Sequence, residues 1–197
     1  MTSRVSIVVL ALVLSGCNMQ TQSEGAHVHG SGKLNVAIET DATAVIEFEA
    51  PAESIYGFEH EAASEEEKQA QSQALDTLRR RFAEMLILPP ALGCAIESTA
   101  ADVVAEEHGH EGEAEEEDHH EDENGTGESD HEEEVSGEHS EVHASYDVRC
   151  ESSLRGARAR VDLGTFFPDL HELTVTVLSD ADQHSVQLED ARGELDF

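Results

Sequence analysis

The segment KLNVAIETDATAVIEFEA, residues 33–50, carries the clearest structural pattern of the chain. Apolar and polar residues alternate over residues 34–38 and again over 44–50, on either side of the turn-like residues 40–43. A period of two is typical of a strand with one buried face. The segment therefore predicts a β-hairpin.

A helical pattern follows over residues 64–87. Ser64 and Glu67 have the spacing of a capping box, which marks a helix start. Apolar residues then recur three and four positions apart, at Ala74, Leu75, Leu78, Phe82, Met85 and Leu86. The spacing predicts one long helix that ends before Pro89-Pro90.

The last part of the chain, residues 142–197, alternates with the strand period in several short runs. We therefore expect an α+β fold, a mixed and mainly antiparallel sheet structure with one long helix. Val28-His29-Gly30-Ser31 resembles Val142-His143-Ala144-Ser145, and each precedes a predicted strand. This echo leaves open two related lobes, residues 26–101 and 142–197.

Charge excludes one class of function. The 197 residues contain 44 Asp and Glu against 11 Lys and Arg, a formal net charge of -33 with neutral histidines. A surface this acidic repels phosphate, so nucleic-acid binding is excluded. Twelve histidines make metal or proton chemistry the first function to consider.

The amino terminus has the pattern of an export signal. Residues 1–16 contain Arg4, an apolar run too short to span a bilayer, and small residues before Cys17. This arrangement resembles a lipobox, so we expect an acylated Cys17, with 17–25 as a linker. Asn18 favours the periplasmic side of the outer membrane of a Gram-negative bacterium, since Asp is the usual inner-membrane retention signal there. An ordinary signal with an incidental cysteine is the alternative.

Cys94 and Cys150 then remain as a pair in an oxidising compartment, where a disulfide is expected and two free thiols are the alternative. Between them, residues 102–141 contain nineteen Asp or Glu, six His, five Gly and no Lys or Arg. Such a segment buries too little apolar surface to offset its ordering entropy. The sequence predicts a disordered acidic loop.

The loop histidines indicate metal binding, because neutral imidazole with carboxylate support suits Zn²⁺. Cu²⁺ and Ni²⁺ are the competitors. Outside the loop, His27, His29, His60 and His143 are further candidate ligands, whereas His171 and His184 are interpreted as structural. The loop candidates are His108, His110, His119, His120, His131 and His139.

Other classes of function fit less well. No helix carries a His-Glu-x-x-His pattern, and no nucleophile stands with a base, so we expect a protein that is not an enzyme. A calcium loop would not need imidazole. A metal-independent lipoprotein that binds a partner and has a solvating acidic loop is the main rival.

Several motifs follow one another along the chain: His27-x-His29-Gly30, Leu34-Asn35-Val36-Ala37, Gly57-Phe58-Glu59-His60, the Cys94 segment, the acidic His-rich insertion, and the run from Val142 to Cys150. In this order they resemble the ZrgA family of periplasmic zinc-uptake proteins. The resemblance covers about residues 26–190. It implies an accessory protein that gathers Zn²⁺ when zinc is scarce and supports import, alongside a periplasmic zinc ABC transporter component.

Overall fold

The computed structural model describes residues 29–105 and 139–197. Its helices are α1 (Ala52–Tyr56) and α2 (Glu65–Met85), with 3₁₀ turns at Pro90–Leu92 and Leu163–Thr165. The strands are β1 (Ser31–Thr40), β2 (Thr43–Pro51), β3 (Leu86–Ile87), β4 (Ala95–Ala105), β5 (Ser140–Arg149), β6 (Arg158–Asp162), β7 (Glu172–Leu178), β8 (Gln183–Glu189) and β9 (Arg192–Asp196).

The strands form two sheets. The larger has six strands in the order β4-β5-β2-β1-β7-β8, and the smaller has three in the order β3-β6-β9. In the larger sheet β1 and β7 are parallel, and the other neighbours are antiparallel. Strands from both ends of the described chain therefore share one sheet.

The two most regular sequence patterns are confirmed. Strands β1 and β2 form the predicted hairpin, with Leu34 opposite Phe48. Helix α2 begins after Ser64, whose side chain accepts from the Glu67 N–H while Glu67 caps in return, so the capping box is present. The helix ends at Met85, before Pro89, because the chain turns into β3.

A single apolar core joins the elements. The inward residues of β1, β2 and β5 are almost fully buried, and so are Leu78 and Phe82 of α2. The Phe82 ring stacks on the Tyr146 ring with centroids 3.7 Å apart, and the Tyr146 hydroxyl donates to the Leu78 carbonyl at 3.2 Å. The same cluster includes Val161 and Leu195 of the smaller sheet.

The α+β prediction is wrong. Strands hold 49% of the described residues and helices 24%, so the fold is mostly β, and α2 is the one helix of seven residues or more among them. The prediction missed β4, because most of its residues are exposed and leave no apolar alternation. Two related lobes are also ruled out, since one sheet interleaves strands of both proposed halves.

The expected disulfide is present. Cys94 and Cys150 are bonded, with Cα atoms 3.9 Å apart. Strand β4 continues to Ala105 and β5 starts at Ser140, so both ends of the predicted loop 102–141 lie in paired strands. None of the helices in the described ranges combines the length and apolar character needed to cross a membrane.

Candidate metal site

Sheet topology gathers several acid and histidine residues at one end. Because β2 is antiparallel to both β1 and β5, the first residues of β1 and β5 lie beside the last residues of β2. We call this the histidine end, since His29 precedes β1 there and His139 precedes β5. Helix α1 follows β2 directly and lies at the same end.

His29 is placed by the turn that leads into β1. Gly30 has a φ of 81°, a left-handed conformation that favours glycine. Its N–H donates to Ser54 Oγ at 3.0 Å, and Ser54 is buried on α1. This contact ties the turn to α1 and leaves His29 Nδ1 2.5 Å from Glu53 Oε2.

Glu59 lies in the short segment between the two helices. Helix α1 ends at Gly57, which has a φ of 95° and donates its N–H to the Glu53 carbonyl. The hydroxyl of Ser140 donates to the Glu59 carbonyl and fixes the segment against β5. These contacts fix the backbone that carries the Glu59 side chain.

The Glu59 carboxylate stands between two imidazoles. Its Oε1 atom is 3.5 Å from His29 Nδ1, and its Oε2 atom is 2.5 Å from His139 Nδ1. The side chain is only 14% exposed, and the buried Oε1 accepts no hydrogen bond within the described residues. A buried carboxylate oxygen without a donor is costly, and a bound cation would satisfy it.

The donor atoms have the spacing of a metal site. One ligand atom each from His29, Glu53 and Glu59 lies within 4.8 Å of the others, the one such group of three in residues 29–105 and 139–197. Ligand atoms around a tetrahedral Zn²⁺ are roughly 3.3 Å apart at ordinary bond lengths. Shifts of about 1 Å in exposed side chains would therefore close the set on an ion.

The structure brings two of the predicted ligands together, His29 and His139, through Glu59. His60 lies elsewhere, with Nε2 3.3 Å from Glu67 Oε1. His143 pairs with Glu141 at 2.9 Å, further along β5. The remaining predicted site residues lie outside the described residues: Cys17, His27, His108, His110, His119, His120 and His131.

His143 does not occupy a position equivalent to His29. It lies within β5, whereas His29 precedes β1. It stands four positions after His139, which is about 13 Å of extended chain. The sequence echo therefore does not correspond to a repeated site.

Sequence reasoning missed Glu53 and Glu59. Carboxylates are so frequent in this chain that no two of them stand out by spacing. The available signal was the Gly57-Phe58-Glu59-His60 block, which contains Glu59, but only the topology shows that this block faces His29.

Imidazole and carboxylate donors around one position define the class of site that binds a borderline divalent metal such as zinc. Comparison with family models gives the identity: the chain belongs to the ZrgA family, described as zinc uptake proteins, with residues 26–197 matched. No curated protein matches the chain. Family membership gives the chain a role in zinc uptake, which agrees with a location outside the cytoplasm.

Proposed function

We propose that the chain captures Zn²⁺ at the histidine end, with His29, Glu53 and Glu59 as ligands. The buried Oε1 of Glu59, which accepts no hydrogen bond within the described residues, carries this proposal. In it, His139 holds the other oxygen of the same carboxylate at 2.5 Å and so orients Glu59 toward the ion.

We further propose that residues 106–138 collect zinc for this site. The segment connects Ala105 to His139, and both flanking residues stand at the histidine end, since Ala105 pairs with Ser140. It contains five of the predicted ligand histidines and many carboxylates. Weak binding at many imidazoles beside one defined site raises the local zinc concentration there.

The proposed role is binding and delivery without catalysis. Zinc is the cargo, and the ligands are exposed apart from Glu59, so an ion can enter and leave. Release to a periplasmic zinc ABC transporter component would complete uptake.

We also propose attachment to the membrane through Cys17, on the inner leaflet of the outer membrane. The spacer from Cys17 to His29 spans at most about 40 Å when fully extended. The bonded cysteine pair Cys94 and Cys150 supports a compartment that is oxidising. Radiolabelled palmitate incorporation, lost in Cys17→Ser, would test the anchor.

A zinc titration of the delipidated, chelator-stripped protein tests the binding proposal. The chain with residues 106–138 replaced by a short Gly-Ser linker should bind fewer zinc ions in total but keep one zinc site. Adding Glu59→Gln or His29→Gln should remove that site. His60→Gln is the matched control, because it removes an imidazole paired with a glutamate outside the site.

Two outcomes would contradict the proposal. If the shortened chain binds no zinc, the histidine-end site does not exist. If the shortened chain binds as many ions as the full chain, residues 106–138 are not a collecting segment.

Growth experiments separate zinc uptake from the rival functions. A deletion strain under chelation should recover with added Zn²⁺ and not with Ni²⁺ or Cu²⁺. Recovery with nickel or copper would support buffering of those metals. If the deletion strain grows as well as its parent under chelation, and the purified protein binds no zinc, the results would support a metal-independent lipoprotein.

A further inference from the structure

A third imidazole lies at the histidine end. Strand β7 runs parallel to β1, with Glu172 in register with Ser31. The N–H groups of His171 and Glu172 both donate to the Gly30 carbonyl, at 2.7 and 2.9 Å. His171 therefore lies just before β7, the strand next to β1, and so stands beside the turn that carries His29. Adjacent strands lie about 4.8 Å apart.

The His171 ring lies over Gly30. A Cβ atom at Gly30 would fall 2.9 Å from His171 Cδ2, so glycine here leaves room for the ring as well as allowing the turn. His29, Glu53 and His171 line the same cavity, of about 320 Å³. Neither Glu59 nor His139 lines this cavity.

Nothing else in the described residues explains the His171 side chain. It is exposed, and its ring makes no hydrogen bond or ion pair there, while its backbone is held by the main chain alone. An exposed imidazole on a backbone that is fixed by main-chain hydrogen bonds suits a ligand that closes on an ion.

We propose that His171 is the fourth ligand of the ion held by His29, Glu53 and Glu59, which rests on the proposed function. Zinc in closed sites takes four ligands, and these three residues leave one position to fill. A second imidazole also sets the metal class, because nitrogen ligands favour Zn²⁺ over hard cations such as Mn²⁺, which prefer oxygen.

The test follows ring nitrogens by NMR in the full mature chain labelled with ¹⁵N-histidine, during titration with ZnCl₂. Signals are assigned with His29→Gln and His171→Gln. The His171 signal should change at the same zinc equivalents as the His29 signal. The titration is made on the unmodified chain, and the variants serve only to assign the signals.

Affinity and selectivity give a second readout. His171→Gln should weaken zinc binding at His29 at least about ten-fold and lower the preference for Zn²⁺ over Mn²⁺. His184→Gln is the matched control, since His184 is an exposed imidazole on β8. It should leave both quantities unchanged.

The outcomes separate the two proposals. If the His29 signal changes and the His171 signal does not, His171 is not a ligand and the zinc site stands without it. If neither signal changes, the zinc site itself is wrong. Equal zinc affinity in His171→Gln and the unmodified chain would also overturn the fourth-ligand assignment.

Discussion

The two ends of the six-stranded sheet are held together in different ways. At the end opposite the histidine end, which we call the disulfide end, Cys94 and Cys150 are covalently bonded. Main-chain hydrogen bonds reinforce it, from Cys150 to the Ala42 carbonyl and from Leu154 to the Asp41 carbonyl. At the histidine end, by contrast, pairs of imidazole and carboxylate groups link different elements at 2.5 Å.

The difference separates stability from binding. Bonds at the disulfide end do not depend on any ion, so they keep the strands in register whether or not zinc is bound. Contacts between imidazole and carboxylate are weaker when exposed, and they use the same atoms that would ligate a metal. A capture site that must release its cargo is expected at the end with such contacts.

Removing the disulfide should give the largest loss of stability. The bond closes a loop with a sequence separation of 56, for which the loop-closure model predicts about 4 kcal/mol. Cys94→Ala with Cys150→Ala should lower the free energy of unfolding, measured in urea, by about that amount. Zinc affinity at 25 °C should stay unchanged. A large loss of zinc affinity in the folded variant would contradict the assignment of stability and binding to different ends of the sheet.

Zinc should stabilise the fold through the histidine end. At a free zinc concentration of about 100 times Kd, binding to the folded state alone adds ~2.7 kcal/mol to the free energy of unfolding. Zinc that is bound equally by the folded and the unfolded chain adds nothing to this free energy. Glu59→Gln should abolish the zinc-dependent rise in the urea midpoint, whereas His60→Gln should keep it.

A pair of glycines tests whether the ends respond independently. Gly30→Ala and Gly156→Ala both place a side chain at a positive φ, 81° and 75°, which costs about 1–2 kcal/mol. At Gly30 the new Cβ also meets the His171 ring, whereas at Gly156 nothing lies within 4 Å. Both variants should therefore lose stability, but only Gly30→Ala should also lose zinc affinity by calorimetry. Equal zinc affinities in Gly30→Ala and Gly156→Ala would show that the Gly30 turn does not position the zinc site.

Local patterns predicted the hairpin and α2 because their signals lie within the segments that form them. The apolar alternation of β1 and β2 and the Ser64 capping box need no distant partner to be recognised. Strand β4 was not predictable in this way, because most of its outward residues are polar or small. The parallel pairing of β1 with β7 joins segments more than 130 residues apart, which no local period records.

The candidate site shows the same limit. Histidine is rare enough outside the acidic segment to make His29 a candidate, but glutamate is too common for Glu53 or Glu59 to be noticed. His171 was interpreted as structural because it has no histidine near it in sequence. Its proximity to His29 arises only from the β1–β7 pairing.

The smallest expected effect concerns Glu67, which fixes the start of α2 next to the segment that carries Glu59. The N–H groups of Ser64 and Ala63 donate to its carboxylate, and with His60 they lower the pKa of Glu67 from 4.5 to about 2. A lowered pKa in the folded state stabilises the fold above the unfolded value, so this contribution should be complete above about pH 4.5 and lost as the pH falls toward 2. Glu67→Gln cannot ionise but keeps an acceptor oxygen. The gap in urea midpoint between the unmodified protein and Glu67→Gln should therefore narrow as the pH falls from about 4.5 toward 2. A constant gap would show that the ionised carboxylate adds nothing to the cap.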